Sequence, residues 1–124
     1  MIAYEFEKRF TLPIDSRSKL MTLRSPSQRH IPLPGEEILL ASGPDVLARV
    51  KVASVVRCVL ILEGDGAASL RVVGYEADPG DVARWDGFAN PLDMGEWYAD
   101  HYGLRPGGPG REFLAIAWSQ EVQL

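Results

Sequence analysis

The segment 46–62 carries Val50, Val52, Val55, Val56, Val59 and Ile61. Side chains branched at Cβ crowd a helical turn but fit a pleated surface, so this segment predicts strand. It is long for one flat strand, so it also predicts a bend or a bulge. Turn formers flank it: Gly43-Pro44-Asp45 before and Gly64-Asp65-Gly66 after. Shorter strands are predicted over 4–10, 20–24, 37–41, 70–73 and 113–118. Many short strands separated by turn signals point to a mostly-β barrel or sandwich.

One helix interrupts this pattern clearly. Asn90 is a natural N-cap, Pro91 suits the first helical position and Asp93 places negative charge at the positive end of the helix dipole. Met94, Tyr98 and Tyr102 recur at helical spacing beside Trp97, and Gly103 supplies the stop. These aromatics read as core rather than as a ligand cage. A second, shorter helix is predicted near 13–17 or near 79–84. Two stretches rich in breakers, 25–35 and 103–110, read as loops over the scaffold. Neither is long enough to separate two domains, so residues 1–124 read as a single domain of α+β, mostly β, class.

Composition narrows the function classes. With 46% hydrophobic and 24% charged residues, the chain has enough apolar surface to build a core, which excludes general disorder. No apolar run is long enough to span a membrane, and no leader is visible at the start. Cys58 has no second cysteine to pair with and sits between Arg57 and Val59, so it reads as an interior thiol. These features point to the cytosol. The net charge of −4 argues against a protein that coats duplex DNA. The bases Lys8, Arg9, Arg17, Lys19, Arg24 and Arg29 nevertheless gather in the first quarter, which leaves room for a local basic pocket. His30 and His101 form no metal-ligand spacing with Cys58, and Pro106-Gly107-Gly108-Pro109-Gly110 lacks the Lys-Ser/Thr of a phosphate-binding loop. No metal and no cofactor is implied.

Four pieces stand in a telling order: Lys19-Leu20-Met21-Thr22-Leu23-Arg24, a KxxTxR pattern; Leu33-Pro34-Gly35-Glu36, a turn into a strand; Asp86-Gly87-Phe88 just before the Asn90-capped helix; and an apolar strand ending in Trp118. This order resembles the ASCH domain, a relative of the RNA-binding PUA domain, over about 6–118. The resemblance implies a PUA-like β-barrel with a helix packed beside one cleft. Similar domains are linked to RNA and to modified nucleosides. One branch consists of small amidohydrolases that remove the acetyl group of acetylcytidine with a lysine, a threonine and an acid. The resemblance maps these roles onto Lys19, Thr22 and Asp86, with Arg24 on the motif arginine. Here aspartate stands where those enzymes carry glutamate, Ser18 replaces the usual turn residue, and the loop 25–34 is longer.

Two functions follow. In the first, the cleft binds RNA or a nucleotide, with Lys19, Arg24 and Arg29 meeting phosphate and Trp85 stacking on a base. In the second, the cleft hydrolyses an acylated nucleoside. Thr22 is then the nucleophile, Lys19 the base that takes its proton, and Asp86 the group that serves the leaving amine. Read singly, the same residues are ordinary: Thr22 a strand former, Lys19 and Arg24 surface charges, Asp86 a turn former, Trp85 core. Geometry sets a condition on either function. Along a regular strand Thr22 and Arg24 share a face, while Lys19 falls on the other. Lys19 joins them only if the chain turns at Ser16-Arg17-Ser18.

Overall fold

A computed structural model describes residues 1–64, 66 and 69–122. Its centre is β4 (Asp45–Leu62), the valine-rich segment. Ala48, Val50, Val52, Cys58, Leu60 and Leu62 alternate inward along it. Eighteen residues cannot stay flat against several neighbours, and the register against the last strand shifts twice, between Val50 and Val52 and between Val52 and Ser54. The predicted bulge is therefore present. The turn predicted at Gly64-Asp65-Gly66 includes Asp65, which lies outside the described residues.

Around β4 stand β1 (Ile2–Glu5), β2 (Met21–Arg24), β3 (Glu37–Ser42), β5 (Leu70–Val73) and β6 (Arg111–Val122). They form one six-stranded sheet in the order β1-β3-β4-β6-β2, with β5 added to the far half of β4. The β1–β3 pair is parallel and the other pairs are antiparallel. Three α-helices lie among the described residues: α1 (Thr11–Asp15), α2 (Pro79–Trp85) and α3 (Pro91–Tyr102). Both places considered for a short helix are thus helical. No helix among the described residues is long and apolar enough to cross a membrane.

Two expectations need correction. The first strand ends at Glu5 and does not run to Phe10. Phe6 makes a last backbone bond to Ala41, and a 3₁₀ turn at Lys8–Phe10 then swings Phe6 and Phe10 inward. The sheet also does not close into a barrel. Among the described residues β1 pairs with β3 and β2 with β6, and no backbone ladder joins β1 to β2. One side chain bridges the gap instead, as Arg24 Nη2 donates to Glu5 O at 2.9 Å. The cleft opens along this seam.

Local signals explain the helix ends that border the cleft. Asn90 Oδ1 accepts from Asp93 N at 2.9 Å, and Asp93 Oδ2 accepts from Ala89 N at 3.1 Å. This reciprocal pair satisfies donors that the first turn leaves free. Gly103 takes the left-handed conformation at φ 70° and ends α3. Helix α2 ends in a paired-bond motif: Gly87 N bonds Arg84 O and Phe88 N bonds Ala83 O. Gly87 sits at φ 90°, and its neighbour Asp86 is turned inward.

Candidate functional site

Lys19 reaches the cleft because the chain turns just before it. Arg17 adopts φ 64°, a left-handed conformation that few residues other than glycine take up. Ser18 N and Lys19 N then both bond to Pro13 O at 3.0 Å. Trp118 Nε1 donates to Lys19 O, while Leu20 bonds Trp85 O through its N–H and accepts from Trp118 N. The backbone is thus anchored on α1, α2 and β6 before β2 begins. The condition set by strand geometry is met by this turn, and Lys19, Thr22 and Arg24 line one cleft with Asp86.

The cleft has a volume of about 160 Å³. At its base Lys19 Nζ donates to Asp86 Oδ1 at 2.8 Å and to Asp86 O at 2.5 Å, with both side chains 2% exposed. The other carboxylate oxygen, Oδ2, accepts from Tyr98 OH at 2.8 Å. The ammonium also lies 4.7 Å from the Phe10 ring centre and 5.1 Å from that of Phe6, a contact favourable to a cation. Thr22 is buried, and its Oγ1 accepts from Arg24 Nε at 3.1 Å. Arg24 lies over the faces of Tyr4 and Phe6. No direct hydrogen bond joins Lys19 to Thr22 among the described residues, and both side chains line the same cleft.

Burial decides the protonation of this group. It pulls the Lys19 amine below its ordinary value, against the opposing pull of Asp86, with Arg24 and Arg9 adding to the lowering. It pushes the Asp86 carboxyl up, against Lys19, Tyr98 and Arg24. Both partners are thereby drawn toward their neutral forms, as expected where desolvation outweighs mutual attraction. Cys58 is pushed up to about 11, chiefly by burial, which leaves an inert interior thiol.

Two of the sequence-derived candidates stand elsewhere. Arg29 is exposed in the loop after β2 and does not line the cleft. Trp85 closes α2, is half-buried against the core and also does not line the cleft. Its carbonyl, not its ring, serves the site by anchoring Leu20. The aromatic wall comes from residues that the sequence reading assigned to the core or passed over: Phe6, Phe10, Phe88, Trp97, Tyr98 and Tyr102. The spacing of Tyr98 and Tyr102 on α3 was the available signal, and these rings serve both the core and the cleft. At the rim, Glu7 Oε1 accepts from Trp97 Nε1 at 2.9 Å and lies 3.1 Å from His101 Nε2.

Gly87 is the tightest point of this packing. A Cβ there would meet Lys19 Cδ and Phe10 Cδ1 at 3.0 Å each. Gly87→Ala should therefore cost about 1–2 kcal/mol for the left-handed backbone alone and push Lys19 off the base of the cleft. Thermal melting checks this. A melting temperature equal to that of the unchanged protein would show that neither the backbone nor the lysine is so constrained.

Fold and site together define a class: a strand-rich, mixed α and β chain with a buried Lys–Asp–Tyr network at the base of an aromatic cleft. No family model matches the chain, and no curated protein or solved structure shows significant similarity to it.

Proposed function

We propose that this protein is an ASCH-type, PUA-like amidohydrolase that removes an acyl group from the exocyclic nitrogen of a modified nucleoside, acting in the cytosol. The observation that carries this reading is Lys19. Its amine is 2% exposed, held by Asp86, and lines the same cleft as a buried hydroxyl that already receives an N–H. A desolvated amine is a base, whereas a solvated one is an ion.

In the reaction, the neutral Lys19 amine takes the Thr22 proton as Oγ1 bonds to the acyl carbon. The carbonyl electron pair moves onto oxygen, and the guanidinium of Arg24 offsets that charge. When the pair returns, the carbon–nitrogen bond breaks. Lys19 returns its proton to the leaving nitrogen, with Asp86 holding the lysine in place. The acyl group is left on Thr22 as an ester, and water releases it as a carboxylic acid by the same steps.

The alternative, retention of RNA or a nucleotide, has less support. The cleft cations are already engaged, Lys19 by Asp86 and Arg24 by Thr22 and Glu5 O, and Arg29 lies outside. Glu5 and Glu7 stand among the lining residues. The volume is below the roughly 300–1,000 Å³ of drug-sized pockets, which suits one acylated base better than a strand.

Incubation with acetylcytidine and related acylated nucleosides, followed by mass spectrometry, tests the reading. Deacylated product is expected. Because the reactive lysine is the neutral one, kcat/KM should rise with pH through a Lys19 titration that lies below the ordinary 10.5. No product from any acylated nucleoside would reject hydrolysis and leave ligand binding. Binding to phosphates would weaken steeply with salt.

A further inference from the structure

We propose that Tyr98 is a positioning residue of this site: its phenol, bonded to the second carboxylate oxygen of Asp86, holds that carboxylate in the orientation that keeps the Lys19 amine facing the cleft. The inference rests on the hydrolase reading for its consequence in turnover, but its physical content stands on geometry alone.

Asp86 is gripped from two sides. Lys19, just before β2, takes Oδ1 and the backbone oxygen, and Tyr98 of α3 takes Oδ2 at 2.8 Å. A carboxylate turns easily about its Cβ–Cγ bond. With Oδ2 engaged, it cannot offer both oxygens to Lys19 and draw the amine down into a two-point ion pair. Without the phenol, Oδ2 would lose its bond from Tyr98, and Lys19, already bonded to Oδ1 of the same carboxylate, is placed to supply another. Two hydrogens of Lys19 are spent on Asp86, so in the neutral amine the lone pair remains for the cleft.

The phenol is itself held in place. Tyr98 is 2% exposed and its ring is stacked on Tyr102 at 5.5 Å and edge-on to Phe113 at 5.4 Å. Burial raises its ionisation well above the ordinary value, so it stays a donor at every working pH. Other titratable groups face the network: Arg9 and Arg24 toward Lys19, Arg24 and Cys58 toward Asp86, and Tyr102 and Arg24 toward Tyr98. All of them are unchanged when only the hydroxyl of Tyr98 is removed.

Tyr98→Phe keeps the ring contacts and deletes the donor. The full-length variant should lose up to about 10²-fold in kcat with KM unchanged. The rising limb of its pH profile, set by Lys19, should move to higher pH, because a carboxylate freed of the phenol's hydrogen bond attracts the charged amine more strongly and so raises its titration. Independently of turnover, the Asp86 carboxyl followed by carbon-13 NMR should titrate at higher pH in Tyr98→Phe. It should titrate at lower pH when 3-fluorotyrosine, a stronger donor of nearly the same volume, replaces Tyr98; this second variant covers the case in which Tyr98→Phe does not fold. An Asp86 titration that ignores both changes, with an unmoved pH profile, would overturn the proposal and leave the phenol as packing. If the unmodified protein hydrolyses no acylated nucleoside, the hydrolase reading falls, and the carboxyl titration still decides whether Tyr98 governs Asp86.

Discussion

Lys19→Met should lower the stability of the fold by about 3–5 kcal/mol, read as a fall in melting temperature of roughly 10–25 °C. The loss does not come from a strong ion pair. Two charges taken out of water regain no more than they lose, and here burial already draws both partners toward neutrality. The loss comes from what is left behind: an Asp86 carboxylate 2% exposed with no cation beside it. Methionine fills nearly the same length, so cavity formation contributes little. The control is to remove every partner together. Lys19→Met combined with Asp86→Leu and Tyr98→Phe removes every side-chain polar atom of the network, leaving only the Asp86 carbonyl that Lys19 had bonded, and should regain much of the stability, though with no activity. If Lys19→Met melts within a few degrees of the unchanged protein, solvent reaches the pair, and the argument for a desolvated base falls with it.

Thr22→Ala should reduce deacylation by at least about 10³-fold. The fold should survive, since the variant loses a methyl group and one hydrogen bond from Arg24, a cost of about 1–2 kcal/mol. Arg24 keeps its bond to Glu5 O. Thr22→Ser retains the hydroxyl and should keep measurable turnover, which separates loss of the nucleophile from loss of shape. Trapped acyl-enzyme, seen as a mass increase on the peptide carrying Thr22, is expected in the unmodified protein and absent from Thr22→Ala. Full activity in Thr22→Ala would transfer the attack to a water molecule activated by Lys19.

Legibility in the sequence followed the range of the forces involved. The strands at 37–41 and 70–73, the bend in the long valine-rich segment, and α3 with its Asn90 cap and Gly103 stop were readable because each depends on neighbours a few residues apart. The first strand was read too long. Nothing local says that Phe6 and Phe10 leave the sheet to pack beside Lys19, 9 or more residues further on. Closure of the sheet was not decidable from the residues either, because whether β1 and β2 pair depends on where β3, β4 and β6 carry them, and here only the Arg24 side chain spans the gap.

The candidate site divides in the same way. Lys19, Thr22, Arg24 and Asp86 were legible as a set, although strand periodicity set Lys19 against the others. Trp85 and Arg29 stand away from the cleft lining, one half-buried at the end of α2 and one exposed in a loop. Tyr98 was visible as a helix-face aromatic, but its hydroxyl acquires meaning only when α3 packs over the end of α2 and meets Asp86. The sequence by itself determined the elements, their ends and the residue types available for proton transfer, since propensity, capping and turn chemistry act within a few residues. Only the tertiary structure decided that Arg17 turns the chain so that Lys19 faces Asp86, and that both are dry. Burial and long-range contact belong to the folded chain as a whole, and they are what bring a lysine and an aspartate out of water into one buried, hydrogen-bonded pair.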